Sequence, residues 1–166
     1  MRLVITMMTI DPNKAGFTKD DKDACLPIIN RLIELNRKVI QGGALAIRPD
    51  TIDEQNVFLK TALTLIQDGV DPSVIKSILT TIIWSDDRRG AELLERLIIL
   101  EGASSIQHGE NPMITSTKLF AYLGEGYLDK LDDINPKLEP QVPHDALSRL
   151  SSQSYATDVW NNETKE

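Results

Sequence analysis

One seven-residue segment occurs twice in this chain, and the duplication constrains the fold more than any other feature. The copies read IQDGVDP (66–72) and IQHGENP (106–112), and each follows an apolar run. A glycine ends a helix at positive φ without a Cβ penalty. An Asp or Asn then caps the next helix, and proline fits its first position. The pattern predicts two tight corners between helices. Their residues are Gly69, Asp71 and Pro72 in the first copy and Gly109, Asn111 and Pro112 in the second.

Each corner also places a helix N-terminus where an anion can bind. The capping Asp71 already brings negative charge to the first corner, and no Lys, Arg or glycine-rich phosphate loop adjoins either copy. The capping signals therefore favour a structural role for both corners.

Apolar residues elsewhere recur at three- and four-residue spacing, which predicts helices. The segments are about 19–41, 53–68, 72–84, 91–108 and 112–123. Acidic residues at the starts suggest N-caps: Asp20 or Asp21, Asp53, and Asp86 or Asp87. Short connections favour antiparallel neighbours. The predicted fold class is all-α, a compact bundle of about five helices.

The chain divides into three predicted regions. Residues 1–18 form an ambiguous N-terminal arm, and residues 19–125 form the helical domain. Residues 126–166 contain three prolines within eight positions, a serine-rich stretch and a polar end, which predicts a flexible tail with room for one short docking helix.

Charge and composition exclude several functional classes. The net charge of −7 disfavours binding to nucleic acid or to an anionic membrane surface. No segment has the signature of a signal peptide or the apolar length of a membrane span. A single cysteine rules out an internal disulfide framework. We expect a soluble protein in the cytoplasm.

The sequence shows no catalytic or metal-binding pattern. His108 and His144 lack partners at metal-ligand spacing. Cys25 has no histidine partner and is best interpreted as a small buried hydrophobe. No nucleophile elbow, phosphate loop or dinucleotide fingerprint is present. We therefore predict a protein that is not an enzyme and that uses no cofactor and no metal.

The segment around Trp84 is the best candidate for binding a protein partner. A tryptophan at a helix break, beside charged residues, suits an interface anchor, although filling a gap at the end of the bundle is an equal alternative. The charged neighbours are Asp86, Asp87, Arg88 and Arg89. The arginines suit an acidic partner, and pairing within the helix is the simpler alternative.

Residues 32–123 resemble the cytoplasmic part of MotA-type flagellar stator subunits. The first matching segment is NVFLKTALTLIQDGVDPSVIKSIL, and the second is LLERLIILEGASSIQHGENPMITSTKLFAYL. In the first, the matching residues are Phe58, Leu59, Ala62, Leu63, Asp68, Gly69, Asp71 and Pro72. In the second, they are Glu101, Gly102, Ile106, Gln107, Gly109, Glu110, Asn111, Pro112, Leu119, Tyr122 and Leu123. LIELNRKVIQGGALAI resembles the segment that precedes the first.

The chain departs from that family in two ways. The family's four membrane spans have no counterpart here, and its two torque-bearing charges align with Ile40 and Arg48, so one charge is lost and the other is reversed. The resemblance therefore implies a stator-like, non-catalytic interaction module, an accessory or regulator of the bacterial flagellar motor, with Arg48 as a further partner-binding residue. The expected partner is a motor or basal-body protein, and self-association is left open. The alternative is a helical adaptor or scaffold unrelated to motility.

Overall fold

The computed structural model describes residues 16–129 and 131, and this part of the chain is all-helical, without a strand. The described residues belong to the larger of two compact units, Met1–Pro136. The second unit, Lys137–Glu166, lies outside the described residues, as do residues 1–15 of the predicted arm and most of the predicted tail.

Eight α-helices and one 3-10 helix follow one another in the described part of the chain. They are α1 (Lys19–Ala24), α2 (Leu26–Gly42), the 3-10 helix (Ala44–Ile47), α3 (Arg48–Asp53), α4 (Val57–Gln67), α5 (Pro72–Ser85), α6 (Gly90–Gln107), α7 (Pro112–Ala121) and α8 (Glu125–Leu128). Five of them, α2, α4, α5, α6 and α7, have ten residues or more. Helix α1 is the first part of the predicted segment 19–41, and the short helices α3 and α8 lie outside the five predicted segments, except for Asp53 at the end of α3.

Helix α6 lies at the centre of the core. It contacts α1, α2, α4, α5 and α7, and Leu94, Ile98 and Ile106 on it are fully buried. It meets α2 at Gly102, where an added Cβ would lie 2.7 Å from Leu32 Cδ1. Leucine and isoleucine fill most of this core, as expected in a chain with 5% aromatic residues.

The predicted helix over 19–41 is two helices, because the chain breaks at Cys25. Thr18, and neither Asp20 nor Asp21, is the N-cap of α1: its hydroxyl accepts from the Asp21 N–H, and the Asp21 carboxylate accepts from the Thr18 N–H. Helix α2 then starts at Leu26 with a proline in its first turn, where the missing N–H is harmless.

Two further predicted helix starts are wrong. Asp53 is the last residue of α3, and Asn56 caps α4 by accepting from the Leu59 N–H at 3.1 Å. Neither Asp86 nor Asp87 caps α6. Asp21 instead reaches across from α1, and its Oδ1 accepts from the Ala91 N–H at 2.9 Å.

Candidate protein-interaction site

The first repeated segment joins α4 to α5. Gly69 has φ of 69°, and the N–H groups of Gly69 and Val70 donate back to the last turn of α4. The Asp71 carboxylate accepts from the Ser73 N–H at 2.8 Å, and Pro72 is the first residue of α5. The hydroxyl and the N–H of Ser73 lower the pKa of Asp71, so this exposed carboxylate stays ionised.

The second repeated segment joins α6 to α7 with the same backbone. Gly109 has φ of 60°, and the Asn111 side chain accepts from the Met113 N–H at 2.8 Å. It differs from the first corner in having an ion pair, in which Lys118 Nζ lies 2.7 Å from Glu110 Oε1. This hydrogen bond is the main cause of a lowered pKa at Glu110. The carboxylate at the second corner is therefore paired.

Hydrogen bonds tie the corners to each other and to α2. The Gln107 side chain of the second segment donates to the Val70 carbonyl of the first at 2.6 Å. The fully buried Asn36 of α2 donates to the Glu110 carbonyl at 2.9 Å and to the Thr115 hydroxyl at 2.8 Å. The two repeated segments are therefore joined by a direct hydrogen bond, and the second is also bonded to α2.

Trp84 stands at the end of α5 with 64% of its surface exposed. Burial of a tryptophan removes a large apolar area from water, which is favourable. A tryptophan that is exposed in the free protein can therefore contribute this gain when a partner covers it. The sequence left two alternatives for Trp84, and this exposure favours an interface anchor over a filler at the end of the bundle.

Several ion pairs lie in the connection between α5 and α6, which begins two residues after Trp84. Asp86 pairs with Arg96 at 2.7 Å and with Arg88 at 3.8 Å. Arg89 pairs with Asp87 at 3.2 Å, and both side chains are exposed. Arg88 also pairs with Glu92 one turn along α6, and this hydrogen bond raises the pKa of the arginine. Because each of these arginines is paired, the segment does not suit binding of a free phosphate.

An open pocket of about 320 Å³ adjoins this connection and is formed by α4 and α6. The Arg96 guanidinium lies 5.0 Å from the centre of the Phe58 ring, within range of a cation–π contact. The Asn56 side chain donates to Glu95 and so links the start of α4 to α6. The lining residues are Asn56, Val57, Phe58, Arg88, Glu92, Glu95 and Arg96. Five of these residues are polar or charged, and Val57 and Phe58 are the apolar ones.

Arg48 is separate from this pocket. It begins α3, is exposed, and forms no ion pair with a described residue. Leu45 and Ile52, both exposed, share its outward face, while Ile47 and Thr51 point into the core. The six predicted partner-binding residues therefore divide into the Trp84 segment and an Arg48 face.

Sequence reasoning missed the pocket residues on α4 and α6. Glu92, Glu95 and Arg96 stand at positions i, i+3 and i+4 of α6, which places them on one face of that helix, and this spacing was the available signal. Phe58 gave no signal beyond its apolar pattern, because its contact with Arg96 spans two helices.

His108 and Cys25 have structural partners, while His144 lies outside the described residues. His108 Nδ1 lies 2.7 Å from the Ser104 carbonyl oxygen. Burial raises the pKa of Cys25 to about 12. Within residues 16–129 and 131, no group of three or more His, Cys, Asp or Glu side chains could hold a metal ion, and no helix is both long and apolar enough for a bilayer span. Comparisons with protein-family models, curated proteins and solved structures found no match to this chain.

Proposed function

We propose that this chain is a non-catalytic protein-interaction module whose Trp84 segment binds a protein partner. The observation that carries the proposal is the exposure of Trp84 at the end of α5, four residues before Arg88, which lines the α4–α6 pocket. Truncating a tryptophan at the centre of an interface commonly costs ~2 kcal/mol or more of binding free energy. The paired charges of Asp86, Asp87, Arg88 and Arg89 would form the polar rim around it.

We propose further that the module works in the cytoplasm as an accessory or regulator of the flagellar motor. The support is the ordered resemblance of residues 32–123 to the cytoplasmic part of MotA-type stator subunits. In this proposal the helices form one compact bundle, and contacts between its two corners stabilise it. The bond between Gln107 and Val70 supports that arrangement, because it joins one repeated segment to the other.

A helical adaptor without a role in motility is the second candidate. The exposed face of Arg48, Leu45 and Ile52 favours it, because a second accessible face would let one small module bridge two partners. The Trp84 segment has the same task in both candidates, and only the partner differs.

Binding to motor proteins tests the proposal and separates the two candidates. The full chain is measured by biolayer interferometry against isolated cytoplasmic parts of the stator and rotor proteins of its own source. We expect micromolar binding that falls about 30-fold in Trp84→Ala. Ile114→Ala is the matched control, since Ile114 is 51% exposed and lies on α7.

The outcomes separate three cases. Binding that depends on Trp84 and not on Ile114 supports a motor accessory. Binding that is insensitive to Trp84→Ala would refute the assigned site. Absence of binding to every motor protein would refute the motility proposal and leave the adaptor.

A further inference from the structure

Helix α5 carries an apolar stripe on a side different from that of Trp84. Its buried stripe is Ile75, Leu79 and Ile83. Directly beside it, Val74 and Ile78 are 45% and 36% exposed, one turn apart. At about 100° and about 1.5 Å per residue, Trp84 lies about 120° around the helix and about 9 Å along it from Ile78, and about 80° around and about 15 Å along from Val74. The exposed stripe is therefore a separate surface.

Two carboxylates that form no ion pair within the described part of the chain lie at the corner that precedes this stripe. Asp68 and Asp71 flank the first corner, and neither forms an ion pair with a described residue. At the second corner, the equivalent positions are His108 and Asn111. The second corner has one carboxylate, Glu110, and it is paired with Lys118, whereas the two carboxylates of the first corner have no such partner among the described residues.

The position of Asp68 is unfavourable for the stability of α4. Asp68 is the C-cap residue, where the helix dipole presents its negative end and favours a cation. His108 at the equivalent C-cap avoids this repulsion. The negative charge of Asp68 therefore does not stabilise α4. A cation from a partner would reduce the repulsion between this carboxylate and the helix dipole.

We infer that the surface of Asp68, Asp71, Val74 and Ile78 docks a basic amphipathic helix of a partner protein. Apolar side chains one turn apart on the partner would cover Val74 and Ile78, in the way that helices dock by anchors at i and i+4. A lysine or arginine on its flank would meet the two carboxylates. A second copy of this chain is the poorer occupant, because both copies carry a net charge of −7.

The test uses the ¹⁵N-labelled full chain and a synthetic amphipathic helical peptide. The peptide has leucines one turn apart on one face and lysines on both sides of them, and its twin has glutamates in place of the lysines. The inference predicts saturable NMR shift changes for the backbone amides around Val74 and Ile78 with the lysine peptide. It predicts much weaker changes with the glutamate twin.

Matched variants locate the contact. Ile78→Ser should weaken binding by about tenfold through loss of apolar contact. The double variant Asp68→Asn with Asp71→Asn should weaken it about fivefold at low salt, while Asn at position 71 keeps the helix cap. Ile114→Ser, at the position equivalent to Val74 in the second corner, should leave the affinity unchanged.

Several results would overturn the inference: no saturable shift change with the lysine peptide, equal binding of the glutamate twin, or equal loss from Ile114→Ser. A dimer in sedimentation equilibrium that Ile78→Ser dissociates would assign the stripe to a second copy instead. Trp84→Ala should not change peptide affinity, so this test stands whichever way the motor-protein experiment ends.

Discussion

Replacing Gly102 with alanine should destabilise the protein even though alanine is the better helix former. Gly102 lies within α6 where this helix meets α2, and an added Cβ would lie 2.7 Å from Leu32 Cδ1 and 2.9 Å from Cδ2. Ordinary carbon contacts are about 3.5–4.0 Å, and Leu32 is fully buried. Overpacking of this kind costs about 1–3 kcal/mol, against a gain in helix propensity of at most about 1 kcal/mol. We expect a net loss of about 1 kcal/mol.

Chemical denaturation followed by far-UV circular dichroism measures this loss, with two variants as controls. Gly126→Ala lies in α8 with nothing within 4 Å of the added Cβ, so it should not destabilise. Leu32→Ala removes the clashing atoms at a cost of about 2–5 kcal/mol. In that background Gly102→Ala should become stabilising, because its Cβ then fills part of the cavity. A Gly102→Ala protein as stable as the Gly126→Ala protein would refute the close packing of α2 on α6.

Three other predictions concern local features of the fold. Gly69→Val or Gly109→Val should each lower the free energy of unfolding by about 1 kcal/mol or more, because valine at positive φ is strained; an unmoved thermal midpoint would contradict the capping argument. Asp21→Asn should reduce the loss of stability in acid: the folded-state pKa of Asp21 is lowered, chiefly by the Thr18 N–H, so its contribution is present above the unfolded pKa and is lost as pH falls through the folded pKa. An equal loss of unfolding free energy at low pH in both proteins, measured by urea denaturation, would contradict this role. Cys25 should resist thiol reagents in the native protein, because burial raises its pKa to about 12, and rapid labelling without unfolding would contradict that burial.

Local sequence carried the signals for the all-helical class and for the helix ends around the repeated segments. The chain from Gly69 to Pro72 contains the residue at positive φ, the capping carboxylate and the first residue of α5. These interactions join residues a few positions apart, so a short window of sequence contains all the groups involved. The same holds for the apolar spacing that defines the longer helices.

Interactions between distant residues could not be inferred in this way. Asp21 takes part in the cap of α1 and also accepts from Ala91, 70 positions later. The Asp21 carboxylate accepts from an N–H in the first turn of α6, as a cap would. Asp86 does not act as the cap and pairs with Arg96 instead. Nothing near Asp86 in the sequence indicates that a residue from another helix takes its expected role.

The candidate site combines both kinds of signal. Trp84 was identified from its position at a helix break, and its exposure depends on how little of α5 the other helices cover. Arg96 and Phe58 enter the site only because α4 and α6 pack together. The link to the flagellar motor stays a prediction that binding experiments must decide.

The fluorescence of Trp84 on partner binding tests the central claim most directly. Trp160→Phe leaves Trp84 as the single tryptophan of the chain. On titration with the cytoplasmic parts of stator and rotor proteins, our account predicts a saturable shift of its emission to shorter wavelength, as the exposed ring leaves water. Saturable binding measured independently, with the emission of Trp84 unchanged, would contradict the assignment of Trp84 as the anchor of this interaction module.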